Sequence, residues 1–222
     1  MPRTIIIAGM PHSGSSFLAD RLHSAGIQMH SAKMCEHYEC QELVTLADAE
    51  QKRRRCGLDK SGVPRYKPSP EFVLSLKEYR RKRELIKSPL PYGFKEPRIT
   101  AYLEAYMQVW PDAMYIWAIR NPLTAAFTRI RRIEQDIVRL KRQIRMPNVI
   151  ELLQDHSAAL LYAMRTLNQY QPSVLPYFYS RDTTQEEQVV QETELSGLTG
   201  VKIELAAHWS PDCWGKSGGK EY

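Results

Sequence analysis

The stretch Thr4-Ile5-Ile6-Ile7-Ala8-Gly9-Met10-Pro11-His12-Ser13-Gly14-Ser15-Ser16-Phe17-Leu18 decides the fold. Its opening run, Thr4-Ile5-Ile6-Ile7, is β-branched and apolar on both faces, the pattern of a strand buried inside a parallel sheet. Gly9 stops it. Phe17-Leu18-Ala19-Asp20-Arg21-Leu22 has helical apolar spacing and ends before Gly26, a helix stop. The loop between them, residues 9–16, keeps the Gly-x4-Gly frame of a phosphate-binding P-loop, in the strand-to-helix context that the motif requires. Glycines let backbone wrap an anion closely, while free N–H groups and the helix dipole supply the attraction. Out of context the same string is a Gly/Ser turn ahead of a helix; its place after the first strand favours the phosphate reading. Ser15 stands where a nucleoside-triphosphatase loop has Lys, so the usual contact to β- and γ-phosphates is missing.

Outward from this unit, strands and helices alternate. The patterns predict a helix over 42–54, a polar surface loop over 57–70, a basic helix over 71–87 and a second core strand over 92–95. A helix over 99–109, a turn at Pro111-Asp112 and the strongest strand candidate, 113–119, come next. A long basic helix to about Arg145, a helix over 149–170, a strand over 174–179 and a further helix complete the series. Such alternation predicts a three-layer α/β fold with a mainly parallel central sheet. We find no internal repeat or low-complexity tract, and residues 1–222 read as a single domain.

Composition sets the outer limits. With 43% hydrophobic and 25% charged residues the chain is of ordinary globular type, which excludes disordered, collagen and coiled-coil classes. No run approaches the roughly 20 apolar residues of a membrane span, and Ile5-Ile6-Ile7-Ala8 leads into the loop rather than a signal cleavage region, so we expect a cytoplasmic protein. Cys35, Cys40, Cys56 and Cys213 lack CxxC spacing, and reduced structural thiols are the expectation. Thirty-one Lys+Arg against 25 Asp+Glu leave a net charge of +6, which admits nucleic acid, a membrane surface or a phosphorylated small molecule as partner.

Three segments resemble the sulfotransferases that use 3′-phosphoadenosine 5′-phosphosulfate (PAPS). The first is 9–18, which matches Gly-x-Pro-[Arg/Lys]-Ser-Gly-[Thr/Ser]-[Thr/Ser]-x-Leu everywhere except His12, standing where the family has Arg or Lys. The second is Arg120-Asn121-Pro122 with Thr128 in the place of a Ser eight residues after the Arg. The third is Gly93-Phe94-Lys95-Glu96-Pro97-Arg98, similar to the Lys-[Asp/Glu]-Pro-Arg segment of many bacterial members. The resemblance implies a fold like that of the P-loop nucleoside triphosphate hydrolases. It implies that Pro11, His12, Ser13, Gly14, Ser15 and Ser16 bind the donor's phosphosulfate, and that Arg120 and Thr128 bind its 3′-phosphate. A paired guanidinium fork and a hydroxyl farther along the helix suit that phosphate. Beside phosphates His12 is expected to be cationic and to donate.

Sulfuryl transfer needs a base for the acceptor's proton and cations for the leaving phosphate; no metal is chemically required. Glu39 and Glu96 are the acidic candidates, Glu39 slightly ahead, with His37 and Glu36 as lesser substitutes and Lys95 and Arg98 near the transferred group. Each acid reads equally as a solvated charge. Arg129, Arg131, Arg132, Arg139, Lys141, Arg142 and Arg145 share a helix with the stripe Ile130, Ile133, Ile137, Leu140 and Ile144, so a solvated face is the plain reading. The other is that these arginines attract an anionic acceptor or complete the donor site. Near the C-terminus, 215–220 is similar to a late Arg-Lys-Gly element of the family, against the plainer reading of a frayed tail.

The function expected is thus transfer from PAPS to a hydroxyl or amine of a small-molecule or glycan acceptor. A compact dianionic nucleotide suits the few placed cations better than nucleic acid does. The alternatives are a P-loop small-molecule kinase, disfavoured by Ser15, and a non-catalytic nucleotide- or nucleic-acid-binding protein, for which His12 argues.

Overall fold

A computed structural model describes residues 4–10, 12–29, 39–53, 68–85, 91–96, 98–140, 146–178, 185–200 and 202–205. Five parallel strands form its sheet: β1 (Thr4–Gly9), β2 (Gln28–Met29), β3 (Tyr92–Lys95), β4 (Met114–Ile119) and β5 (Ser173–Phe178). Their order is β2-β3-β1-β4-β5, so β1 lies at the centre with Ile7 opposite Lys95 on one side and Ile116 on the other.

The reason for the two-sided apolar run is now plain. Successive strand side chains point to opposite faces. Ile5 and Ile7 join Leu18, Leu22, Ile116 and Leu195 in one core, while Ile6 and Ala8 join Phe94, Tyr115 and Trp117 in the other. The first core is covered by α1 (Ser15–Ser24) and α7 (Gln185–Thr199). The second is covered by α2 (Gln41–Arg53), α3 (Pro70–Glu84), α4 (Leu103–Val109) and α6 (Val149–Tyr170). Aromatic rings fill that second layer: Tyr106 stacks on Trp110 at 5.8 Å, and Phe94 lies 5.2 Å from Trp110. The result is the three-layer α/β architecture expected.

Differences from the sequence reading are local. The strand β2 was not anticipated, because two residues with Gln28 exposed carry no pattern; it makes the 92–95 strand the third in chain order. The segment 99–109 opens as a 3-10 turn, Ile99–Tyr102, where the Arg98 carbonyl accepts from both Ala101 and Tyr102. The basic helix α5 spans Pro122–Leu140, and its Ile130, Ile133 and Ile137 are half-buried rather than enclosed. Residues 141–145, the 57–67 loop and Tyr179 lie outside the described residues. Helix α6 starts with a capping box in which Asn148 Oδ1 accepts from Glu151 N at 2.8 Å and Glu151 Oε2 accepts from Asn148 N at 3.1 Å. Among the described residues no helix is long and apolar enough to cross a membrane. Cys40 is a buried free thiol; Cys35, Cys56 and Cys213 lie outside the described residues.

Candidate functional site

The strand order sets the C-terminal ends of β3, β1 and β4 side by side, and each end carries one of the three segments singled out in the sequence. Lys95 closes β3, Gly9 closes β1, and Arg120 follows β4. This edge is where open α/β sheets bind ligands.

The loop is shaped by backbone demands. A Cβ at Gly9 would lie 2.6 Å from both the Ala118 carbonyl oxygen and Ser13 Oγ, so only glycine lets the chain turn this close to β4. Thr100 pins the same point: Gly9 N donates to its Oγ1 at 3.1 Å, and that hydroxyl donates to Gly9 O at 2.8 Å. His12 (φ 66°) and Gly14 (φ 88°) take left-handed conformations, and Ser13 N donates to Met10 O at 3.1 Å. Gly14 caps α1 with no side chain, which leaves the helix's first N–H groups open to an anion. Ser13 Oγ is buried without a hydrogen-bond partner among the described residues.

Arg120 ties β4 to the loop. Its guanidinium is buried, and Nη1 donates to the His12 carbonyl at 2.9 Å. The Asn-Pro that follows starts α5: Asn121 Oδ1 accepts from Leu123 N at 3.0 Å and Thr124 N at 3.3 Å. The Arg-Asn-Pro string is therefore a helix cap and an anchor for the loop in one. Thr128 directs its hydroxyl proton to Thr124 O at 2.7 Å, within its own helix.

On the other side, Lys95 is buried and its ammonium donates to Ser16 Oγ at 3.0 Å and Glu39 Oε1 at 2.9 Å. A parallel bridge between Glu39 and Lys95, with Cys40 N donating to Lys95 O at 3.3 Å, sets Glu39 beside β3. The two acidic candidates then part company. Glu39 keeps 23% of its side chain exposed, whereas that of Glu96 is 0% exposed. Glu96 accepts from Arg98 N at 2.8 Å and Arg98 Nη1 at 3.0 Å, and Arg98 Nη2 reaches Asp48 on α2 at 2.7 Å. Burial pushes the Glu96 carboxyl up to about 7 against the opposing pull of Arg98.

The charge expected on His12 is that of a ring beside phosphates; the protein's own groups act against it. Burial first, then the charges of Arg129, Arg120, Arg132 and Lys95, hold its imidazole down at about 4, so at neutral pH the ring is uncharged. Arg129 and Arg132 were not separated from the other helical arginines in the sequence; their shared face with Ala125 and Thr128, at spacings of three and four, is the signal that could have done so. Ser15 and Ser16 open α1 at the loop's end. Pro11, Glu36, His37, Pro97 and the 215–220 segment lie outside the described residues.

Among curated proteins none matches the chain. Among solved structures, sulfotransferase STF9 from Mycobacterium avium is similar at 16% identity with a TM-score of 0.44, over 88% of this chain and 68% of that one. The model of the sulfotransferase family matches residues 2–177, a span that takes in the loop, the β3 end and the Arg120 to Thr128 segment. On that match, the chain belongs to the sulfotransferase family.

Proposed function

We propose that the protein takes a sulfuryl group from PAPS, releasing 3′-phosphoadenosine 5′-phosphate (PAP), and places it on a hydroxyl or amine of a small-molecule or glycan acceptor. The observation that carries this reading is the cradle itself: buried Arg120 bonded to the loop backbone, an unpartnered Ser13 hydroxyl, and the uncapped N-terminus of α1. These groups fit a phosphorylated nucleotide. Pro11, His12, Ser13, Gly14, Ser15 and Ser16 are the loop that would wrap the phosphosulfate, and Arg120 with Thr128 would hold the 3′-phosphate.

When bound, PAPS supplies a sulfuryl group already attached to a phosphate leaving group. Lys95 holds an ammonium beside Ser16 at the mouth of the loop, in a nearly dry setting that strengthens its field. Glu39, bonded to that ammonium and partly open to solvent, is the carboxylate to which an entering acceptor gives its proton. Glu96 is unsuited to that task, because both its oxygens are engaged by Arg98 and the side chain is covered. Its place in the account is to hold Arg98, and through Asp48 the helix that follows Glu39. Arg120 Nη1, bonded to the His12 carbonyl, also ties the loop to the end of β4.

Incubation with PAPS carrying radiolabelled sulfur, across phenols, amines, sugars and tyrosine peptides, tests the reading. Label should move to an acceptor with release of PAP, and Glu39→Gln should abolish the transfer while PAP still binds. Phosphate transfer from labelled ATP in its place would establish the kinase alternative.

A further inference from the structure

Residues 9–16 carry no lysine or arginine, and Ser15 occupies the position of the P-loop lysine that reaches terminal phosphates. Two buried charges at this edge already have work within the fold: Lys95 is paired with Glu39, and Arg120 Nη1 donates to the His12 carbonyl. A leaving phosphate at this loop therefore lacks a dedicated cation from the loop's own residues.

Helix α5 carries two more cations on one face. It starts directly after Arg120, whose bond to His12 fixes the helix's first turn against the loop. Ala125, Thr128, Arg129 and Arg132 share one face, and Ala125 on that face is buried. Helical side chains lean toward the N-terminus, here back toward the loop. Arg129 is half-buried and Arg132, one turn on along the same face, is exposed; Arg131, also exposed, lies off that face. Of all the charges acting on the His12 imidazole, that of Arg129 is the strongest, ahead of Arg120 and Arg132.

We propose that Arg129 and Arg132 supply the fixed positive charge that the phosphate loop lacks, contacting the donor's 5′-phosphosulfate from α5. This rests on the reading that PAPS is the donor. In the transfer the bond from sulfur to the bridging oxygen breaks and its electron pair stays on the 5′-phosphate. The acceptor oxygen or nitrogen forms the new bond to sulfur, and its proton passes to Glu39. The charge thus gained by the phosphate develops beside the two guanidinium groups, which stabilise it more in the transition state than in the ground state.

Calorimetry with PAP, adenosine 5′-monophosphate and adenosine 3′-monophosphate separates the two phosphates. Arg129→Ala/Arg132→Ala should weaken PAP and the 5′-monophosphate, by roughly tenfold to a hundredfold per charged contact removed. Affinity for the 3′-monophosphate should be unchanged. His12→Lys in that background should restore at least part of the lost affinity, and Arg131→Ala should leave all three unchanged. Arg129→Lys/Arg132→Lys, which keeps charge and helix propensity, should lose less than the alanine pair. Equal losses for both monophosphates, no loss at all, or an equal effect from Arg131→Ala would overturn the proposal alone. A wild-type protein that binds none of the three would instead sink the PAPS reading and this proposal with it.

Discussion

Replacing His12 with Asn should remove a stability loss that the native chain suffers on acidification. The imidazole is held at about 4 in the folded protein against 6.5 in an unstructured chain, chiefly by burial and then by Arg129, Arg120, Arg132 and Lys95. Above 6.5 the ring is neutral in both states and contributes nothing to the pH dependence. As pH falls below 6.5 the unfolded ring takes a proton that the folded ring refuses until about 4, so stability drops across that window. Fully expressed, the difference corresponds to about 3 kcal/mol, of which about 2 kcal/mol is reached by pH 5. Water at the partly exposed ring screens the arginine contribution, which brings the expectation to about 1–2 kcal/mol. Asn is the replacement of choice because it tolerates the left-handed backbone at this position. Urea unfolding of both proteins at pH 7 and pH 5 measures the effect, with the His12→Asn chain losing about 1–2 kcal/mol less between the two. Saturating PAP should shrink the native loss, since a phosphate favours the imidazolium. Identical pH dependence in the two proteins would refute the account of a cation-crowded, neutral His12.

Other substitutions probe the remaining parts of the edge. Gly9→Ala puts a methyl 2.6 Å from the Ala118 carbonyl and Ser13 Oγ and should cost about 1–3 kcal/mol in thermal unfolding, with PAP binding lost. Arg120→Ala should weaken PAP roughly tenfold to a hundredfold by calorimetry, and adenosine 5′-monophosphate by less, since that nucleotide loses only the loop anchor; equal losses would remove Arg120 from the 3′-phosphate. Lys95→Met should leave the fold intact by circular dichroism yet slow sulfuryl transfer about 100-fold or more, on the scale of losing one transition-state donor. For Glu96, burial raises the folded carboxyl above its unfolded value, so stability should fall as pH rises from 4.5 toward 7. Glu96→Gln should flatten that slope in denaturant titrations; an unaltered slope would contradict the burial of its charge.

How much of this was legible beforehand differs by level. Thr4 to Ile7 and Met114 to Ile119 announced themselves because strands buried on both faces have no polar alternation to hide them. Gln28–Met29 did not, since a two-residue edge strand owes its existence to pairing with Tyr92 and Gly93 rather than to its own composition. Within the site, Gly9 and Arg120 stand out in the sequence by their motifs, whereas the contacts that fix them, Gly9 against Ala118 and Arg120 on the His12 carbonyl, join segments far apart in the chain. The separation of Glu39 from Glu96 was not readable. It depends on Asp48 holding the Arg98 that engages one carboxylate, and on Lys95 pairing with the other while bonded to Ser16, contacts between segments distant in the chain. The lowered imidazole of His12 is not readable in the sequence either: two of the charges that act on it sit on a helix whose pattern reads as an ordinary solvated face.

The claim on which the rest depends is that the cradle at the ends of β3, β1 and β4 is built for a 3′-phosphorylated adenine nucleotide. Titration calorimetry of the full chain with PAP, against ATP plus magnesium, tests it most directly. The account predicts saturable binding of PAP, weakened by Arg120→Ala, and binding of ATP with magnesium that is much weaker. Preference for ATP with magnesium, or no binding of PAP, would contradict it.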